Sequence, residues 1–211
     1  SASAISNTAD QSISKMLSKP FIDVGKKAMP AALFIKSEFS KNYRSKEAQI
    51  NPQDQLQEEF FRRFFGMPNG QGQSDRRSAP QQPMMGFGSG FVISQDGYIL
   101  TNRHVVEDTE KIEVRLKDGR RFKAEVRGVG PQSDIAVIKI DANGLPVANL
   151  ADSSKTRVGE FAIAIGAPFE LDYSVTFGHV SAKSRKVLSD RVMMDQDFIQ
   201  TDASINPGNS G

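Results

Sequence analysis

A serine set among glycines and two histidines are the residues of this chain best suited to covalent chemistry. Ser210 closes the run Thr201-Asp-Ala-Ser-Ile-Asn-Pro-Gly-Asn-Ser-Gly211. Gly208 and Gly211 allow a turn tight enough to expose a hydroxyl while nearby main-chain N–H groups point into the same space. An attacking oxygen, with donors for the oxyanion it creates, is what acyl transfer from a peptide bond requires. The run is not the Gly-x-Ser-x-Gly elbow of an α/β-hydrolase, because the second glycine follows Ser210 directly.

With two histidines in the chain, the search for a general base is short. His104 sits in Thr101-Asn-Arg-His-Val-Val106, where an apolar strand pattern over Tyr98–Thr101 ends. A strand end fixes a side chain yet leaves it at a rim that substrate can reach, and imidazole accepts and returns protons near neutral pH. His179, in Phe177-Gly-His-Val180, falls inside a strand pattern and reads as a packed or surface residue. Asp134, in Gln132-Ser-Asp-Ile-Ala-Val137, stands at the edge of an apolar run. An imidazole N–H would justify burying that carboxylate, by fixing the tautomer and stabilising the imidazolium. The other reading is a turn aspartate bonded to local main-chain N–H groups. Asp108 is too close to His104 in sequence for an easy geometry, and Asp202 reads as a brace for the turn before Ser210.

These residues need a scaffold, and from Gly86 onward the pattern supplies strands. Phe91-Val-Ile, Gln95-Asp-Gly97 and Tyr98-Ile-Leu-Thr read as a hairpin on an Asp-Gly turn. Ile112–Leu116 and Phe122–Val129 repeat the device around Lys117-Asp-Gly119. Ile135–Ile140, Phe161–Ile165, Val175–Ser181 and Phe198–Thr201 give further short strands. Strands this closely spaced, without long helices between them, favour an antiparallel barrel or sandwich over a parallel sheet. Leu145-Pro146 reads as the start of a crossing between two units. Upstream, residues 1–29 read as a short helix interrupted at Pro20, followed by a first strand at Ala31–Lys36. Over residues 51–66, Asn51 and Pro52 suit a helix start and Gly66 a stop. Leu56, Phe60 and Phe64 recur on one face, and Phe61 and Phe65 widen it. Gly66–Pro83, rich in Gly, Gln, Pro and Ser, reads as a flexible loop.

Composition excludes several classes. Hydrophobic residues make 38% and charged residues 25% of the 211, as in soluble globular domains. A net charge of +2 without a basic stripe argues against nucleic-acid binding. No apolar run approaches the roughly 18 residues of a membrane span. The absence of Cys excludes disulfides, thiol catalysis and thiolate metal sites, and is compatible with an oxidising compartment. The chain starts at Ser1 without an apolar signal core, which fits a processed N-terminus.

Taken together, Thr-Asn-x-His-Val-Val, Ser-Asp-Ile-Ala-Val and Thr-Asp-Ala-x-Ile-Asn-Pro-Gly-Asn-Ser-Gly resemble the signatures of the HtrA (DegP/DegQ-like) serine proteases, a branch of the chymotrypsin-like fold. The resemblance runs from about Lys26 to Gly211 and includes Gly88-Ser-Gly90, Asp118-Gly119, Ala162-Ile-Ala-Ile-Gly166 and Phe198-Ile-Gln-Thr-Asp202. It implies an all-β fold with minor α: a double β-barrel, the first barrel complete and the second only partly present. The expected organisation is an N-terminal helical segment over 1–29 and a first barrel over 30–143. The Phe-rich helix and flexible loop are inserted at 40–86, a partial second barrel spans 144–211, and no PDZ domain lies in this chain. The resemblance assigns catalysis to His104, Asp134 and Ser210, and the oxyanion hole to the main chain of Gly208, Asn209 and Ser210. It implies no metal or organic cofactor, unfolded protein or peptide substrates, a trimer-based homo-oligomer, and a periplasmic or cell-envelope location. Three positions depart from the family pattern: Arg103, where Asn or His is common; His179, where an aliphatic residue is usual; and Ala167-Pro168-Phe169-Glu170, in place of Asn-Pro-Phe-Gly.

The Phe-rich stripe, with Phe60, Phe61, Phe64 and Phe65, has two readings: a local cap on this domain, or a contact with another subunit. In the second, changing Phe61 and Phe65 to alanine loosens assembly. Because the strands expected after Ser210 would supply the specificity pocket, the polypeptide on its own is expected to be poorly active. Two functions follow: a Ser-His-Asp endopeptidase of protein quality control acting on unfolded envelope proteins, or a non-catalytic, chaperone-like or subunit-interaction fragment binding unfolded polypeptides.

Overall fold

The computed structural model describes residues 8–39, 85–130, 133–169, 172–185 and 198–205. The Phe-rich segment with Phe60, Phe61, Phe64 and Phe65, the loop over 66–83, and Gly208, Asn209 and Ser210 lie outside the described residues.

Six strands follow, β1 (Ala32–Phe39), β2 (Met85–Val92), β3 (Tyr98–Thr101), β4 (Thr109–Leu116), β5 (Arg121–Val129) and β6 (Ala136–Ile140), with side chains alternating between core and surface most clearly in β3, β4 and β6. They join antiparallel in the order β1-β2-β3-β6-β5-β4, and β4 returns to β1, so the sheet closes into a barrel. Closure decides between the two all-β architectures that strand spacing left open. Register fixes which face looks inward. Leu33 stands opposite both Gly90 and Leu116, and Ile138 stands opposite both Ile99 and Val126. Leu33, Ile35, Val92, Ile99, Val114, Ile138 and Ile140 are fully buried in one cluster. Each such side chain contributes about 1.5–3 kcal/mol over its exposed state. Leu145 joins this cluster from beyond β6, and its N–H is bonded to Gln95 O.

Two glycines make the turns. Gly97 (φ 102°) ends the β2–β3 turn and Gly119 (φ 89°) the β4–β5 turn, in the left-handed region that side chains resist. Gly97 is also sealed against Ile140: its carbonyl accepts Ile140 N–H at 3.0 Å. A third glycine, Gly90, is required by contact, since a Cβ there would stand 2.9 Å from Leu100 O and 3.0 Å from Ile35 Cδ1.

A second sheet, β7 (Phe161–Phe169), β8 (Asp172–Arg185) and β9 (Phe198–Thr201), follows in the order β7-β8-β9. It docks on the outside of the barrel through β7. There Ser89 Oγ, turned outward beside Phe34, accepts Ala167 N–H at 2.8 Å.

The N-terminal segment differs from expectation. Rather than breaking at Pro20, helix α1 runs unbroken over Thr8–Ala28, and a short 3₁₀ turn (Met29–Ala31) leads to β1, which starts at Ala32 and extends to Phe39. Proline removes one donor from a helix interior, and the flanks offset part of that cost. Lys19 Nζ meets Asp23 Oδ2 at 2.6 Å across the proline, and Lys26 and Lys27 stand in the last turn, where the helix dipole favours cations. Phe21 packs on Phe161 and Phe177, with ring centroids 5.1 and 4.9 Å away, tying α1 to the β7–β8 pair. Among the described residues, no helix is long and apolar enough to cross a membrane.

Candidate active site

β3 ends at Thr101, and the chain turns at Asn102 into the one-turn helix α2 (Arg103–Val106). A helix this short has no intrinsic stability; buried side chains hold it. Val105 and Val106 insert into the barrel core, and Ser37, itself fully buried on β1, donates from Oγ to Val105 O at 2.6 Å. At the preceding position Thr101 Oγ1 donates to Ser89 O at 2.7 Å. Thr109 Oγ1 donates to Val106 O at 2.7 Å and closes the far end. His104 is thus carried by a turn pinned on both sides by buried contacts.

Asp134 arrives from the segment that enters β6, and its carboxylate engages His104 twice. Oδ2 lies 2.5 Å from His104 Nδ1, and Oδ1 accepts the main-chain N–H of His104 at 3.0 Å. Asn102 Nδ2 donates to Asp134 O at 2.9 Å, fixing the aspartate's backbone as well. Both side chains are only partly exposed, at 23% for His104 and 32% for Asp134, and the second ring nitrogen, Nε2, is shielded from solvent. A carboxylate on Nδ1 keeps the ring proton there and presents Nε2 as the basic atom. Of the two readings of Asp134, the imidazole partner is the one present; the main-chain N–H it also accepts is that of His104, 30 residues away, not one of a local turn.

Charge around the pair is arranged outward. Arg103 Nε donates to Glu107 Oε2 at 2.8 Å, which raises the guanidinium above its already high value, with nearby Asp134 adding to the effect. Asp108, the competing carboxylate, sits at φ 56° in the turn after α2, and Asp134 rather than Asp108 faces the imidazole.

Asp202 is held by the second sheet. Its Oδ1 accepts the main-chain N–H of His179, and that bond holds its carboxyl below the usual range. His179 lies on β8 opposite Phe161, with ring centroids 4.9 Å apart, and its Nδ1 is 3.7 Å from Asp202 Oδ2. His179 is therefore an exposed residue that packs on Phe161 and is anchored to Asp202 through its main chain. Among the described residues, no group of three or more His, Cys, Asp or Glu side chains is placed to hold a metal ion.

Three residues of the site had no role assigned from the sequence: Ser37, and Ser89 and Asn102, which appeared only inside quoted motifs. Ser37 and Ser89 are 0% and 2% exposed within strands. A small hydroxyl on the apolar face of a strand is the signal that could have marked Ser37, and Asn102 stands at the helix N-cap two positions before the histidine.

Comparison with known proteins found relatives in both sequence and fold. The trypsin-like peptidase domain family matches residues 88–211. A probable periplasmic serine endoprotease, DegP-like, of Chlamydia pneumoniae is 44% identical over 216 residues, covering 99% of this chain and 42% of the relative. One of the same name from Hahella chejuensis is 50% identical over 159 residues, covering 75% of this chain and 32% of the relative. Among solved structures, an HtrA-type protease AlgW with tripeptide superposes with a TM-score of 0.66 at 31% identity, over 90% of this chain and 48% of that one. The same protease with decapeptide gives 0.65 at 34% identity, over 90% and 54%. The chain spans less than half the length of these curated relatives.

Proposed function

This chain belongs to the HtrA family of trypsin-like serine peptidases, and from that premise we propose that it carries the catalytic machinery of an endopeptidase acting on unfolded proteins of the cell envelope. The observation that supports the reading is the double contact of Asp134 with His104. In this mechanism Ser210 Oγ attacks the scissile carbonyl while His104 Nε2 takes its proton. The tetrahedral intermediate collapses, His104 returns the proton to the leaving amine, and an acyl-enzyme on Ser210 remains. Water, activated by the same imidazole, then releases the acid. Asp134 keeps the ring in one tautomer and balances the imidazolium. Main-chain N–H groups of Gly208, Asn209 and Ser210 supply the oxyanion donors, each worth about 10²–10³ in turnover.

The location follows the naming of the curated relatives as periplasmic. Assembly into a trimer-based homo-oligomer, with the segment bearing Phe61 and Phe65 as a contact, belongs to the same reading. The test is digestion by the full-length protein of one substrate in folded and in unfolded form. The expected result is cleavage of the unfolded form alone, abolished by Ser210→Ala. Cleavage that survives Ser210→Ala overturns the mechanism, and equal cleavage of both forms overturns the substrate class.

A further inference from the structure

The stretch that leads into the nucleophile is fastened to β8 by contacts that the Ser-His-Asp mechanism does not use. Thr201 ends β9 opposite Val180. One residue on, Asp202 Oδ1 accepts His179 N–H, while Asp202 N–H donates to His179 O at 3.3 Å. Two residues further, Ser204 O accepts from Thr176 Oγ1 at 2.8 Å. Between them Ala203 is buried, and its N–H donates to Thr201 Oγ1 at 3.1 Å. Gly178 makes this approach possible. A Cβ there would overlap Asp202 Oδ1 and Ala203 N, and would come within 2.8 Å of Ala203 Cα. The strand therefore presents threonine, glycine and histidine at 176, 178 and 179 as a seat for the segment Asp202–Ser204.

We propose that Asp202 is a positioning residue for Ser210, acting through this seat on β8 to fix where the nucleophile loop departs. The proposal rests on the peptidase reading and adds to it a second aspartate with a different task. Each of the chain's two histidines offers its main-chain N–H to one oxygen of an aspartate and its Nδ1 toward the other oxygen. At His104 the ring nitrogen is within hydrogen-bond distance, as catalysis needs. At His179 it is 3.7 Å away, so the main-chain bond does the holding. Asp202 thereby defines the root of the loop, while Asp134 defines the base. A reactive group displaced by about 1 Å loses up to about 10²-fold in rate without losing substrate affinity, so the effect belongs in kcat and in reaction with small electrophiles.

The experiment compares wild type, Asp202→Ala, Asp202→Asn, Thr176→Val and Ser210→Ala in the full-length protein. It reads the rate of fluorophosphonate labelling, kcat and KM on a peptide substrate, and Tm. Asp202→Ala is expected to lower labelling and kcat by about 10- to 100-fold with KM within about twofold. Asp202→Asn keeps a carbonyl oxygen for His179 N–H and is expected to recover all but about threefold. Thr176→Val, which keeps the branched shape of the strand residue, is expected to cost about three- to tenfold. Labelling of Asp202→Ala at the wild-type rate overturns the proposal. Should that variant not fold, unchanged labelling of Thr176→Val overturns it equally. A wild type that takes up no more probe than Ser210→Ala overturns instead the peptidase reading beneath it.

Discussion

Asp134 holds His104 by ring and backbone together, with Oδ2 2.5 Å from Nδ1 and Oδ1 3.0 Å from the main-chain nitrogen. Two-point attachment orients the imidazole more firmly than either bond alone, since rotation about the histidine side chain would break one contact without freeing the other. With Asn102 fixing the backbone of Asp134 and Ser37 of β1 fixing that of Val105, the pair is tied to its neighbouring turn and to the barrel wall together.

Replacing Asp134 with Asn keeps an oxygen for the His104 main-chain N–H but turns an amide donor toward Nδ1. The ring proton then moves to Nε2, and the base is lost. The expected outcome for the full-length protein is a fall in kcat of about 10⁴-fold, with little change in Tm. A decrease of less than tenfold in a peptide-cleavage assay would show that Asp134 does not set the tautomer.

Gly90→Ala tests the barrel wall next to the site. The added methyl meets Leu100 O at 2.9 Å and Ile35 Cδ1 at 3.0 Å, and both belong to paired strands that cannot yield separately. A loss of about 1–3 kcal/mol, read from denaturant midpoints, is expected. An unchanged midpoint contradicts the packing described.

Ser89→Ala tests the join between barrel and second sheet. It leaves the buried Ala167 N–H without the oxygen it uses. An unpaired buried donor costs about 1–3 kcal/mol, so Tm is expected to fall while the barrel strands keep their circular dichroism. Ser89→Thr, which restores a hydroxyl, distinguishes loss of the bond from loss of shape.

What the sequence made legible follows from how local each signal is. The Gly97 and Gly119 turns were readable because a positive φ demands a particular residue type at a particular place. His104 and Asp134 were readable because their residue types are scarce or costly to bury. Barrel closure was not readable from strand spacing, since period-two alternation looks the same in a sandwich; the family resemblance implied it, and the β1–β4 register carries it. Pro20 misled because its cost is local, whereas the packing of Phe21 on Phe161 and Phe177 is not. Ser37 and Ser89 escaped notice because a strand serine looks like a solvent-facing one until the partner carbonyl or N–H is known.

Tyr173 gives an alkaline signature. Burial pushes its phenol up to about 12 from an ordinary 10.0, and its hydroxyl donates to Ala32 O at 3.1 Å. Because the folded value is the higher one, the folded state binds the proton more tightly than the unfolded state. The resulting stabilisation is whole below pH 10 and is lost as pH rises toward 12. Tm of wild type is therefore expected to drop faster than that of Tyr173→Phe across that window. Parallel curves would show that the phenol is not buried as described.

The central claim is that the His104–Asp134 pair serves the hydroxyl of Ser210, and active-site modification tests it most directly. Full-length protein treated with a fluorophosphonate and mapped by mass spectrometry is predicted to carry one adduct, on Ser210. In His104→Ala the rate of its formation is predicted to fall by about 10³-fold or more. Modification of Ser210 at the same rate with and without the His104 imidazole, or an adduct on another residue, would contradict the account.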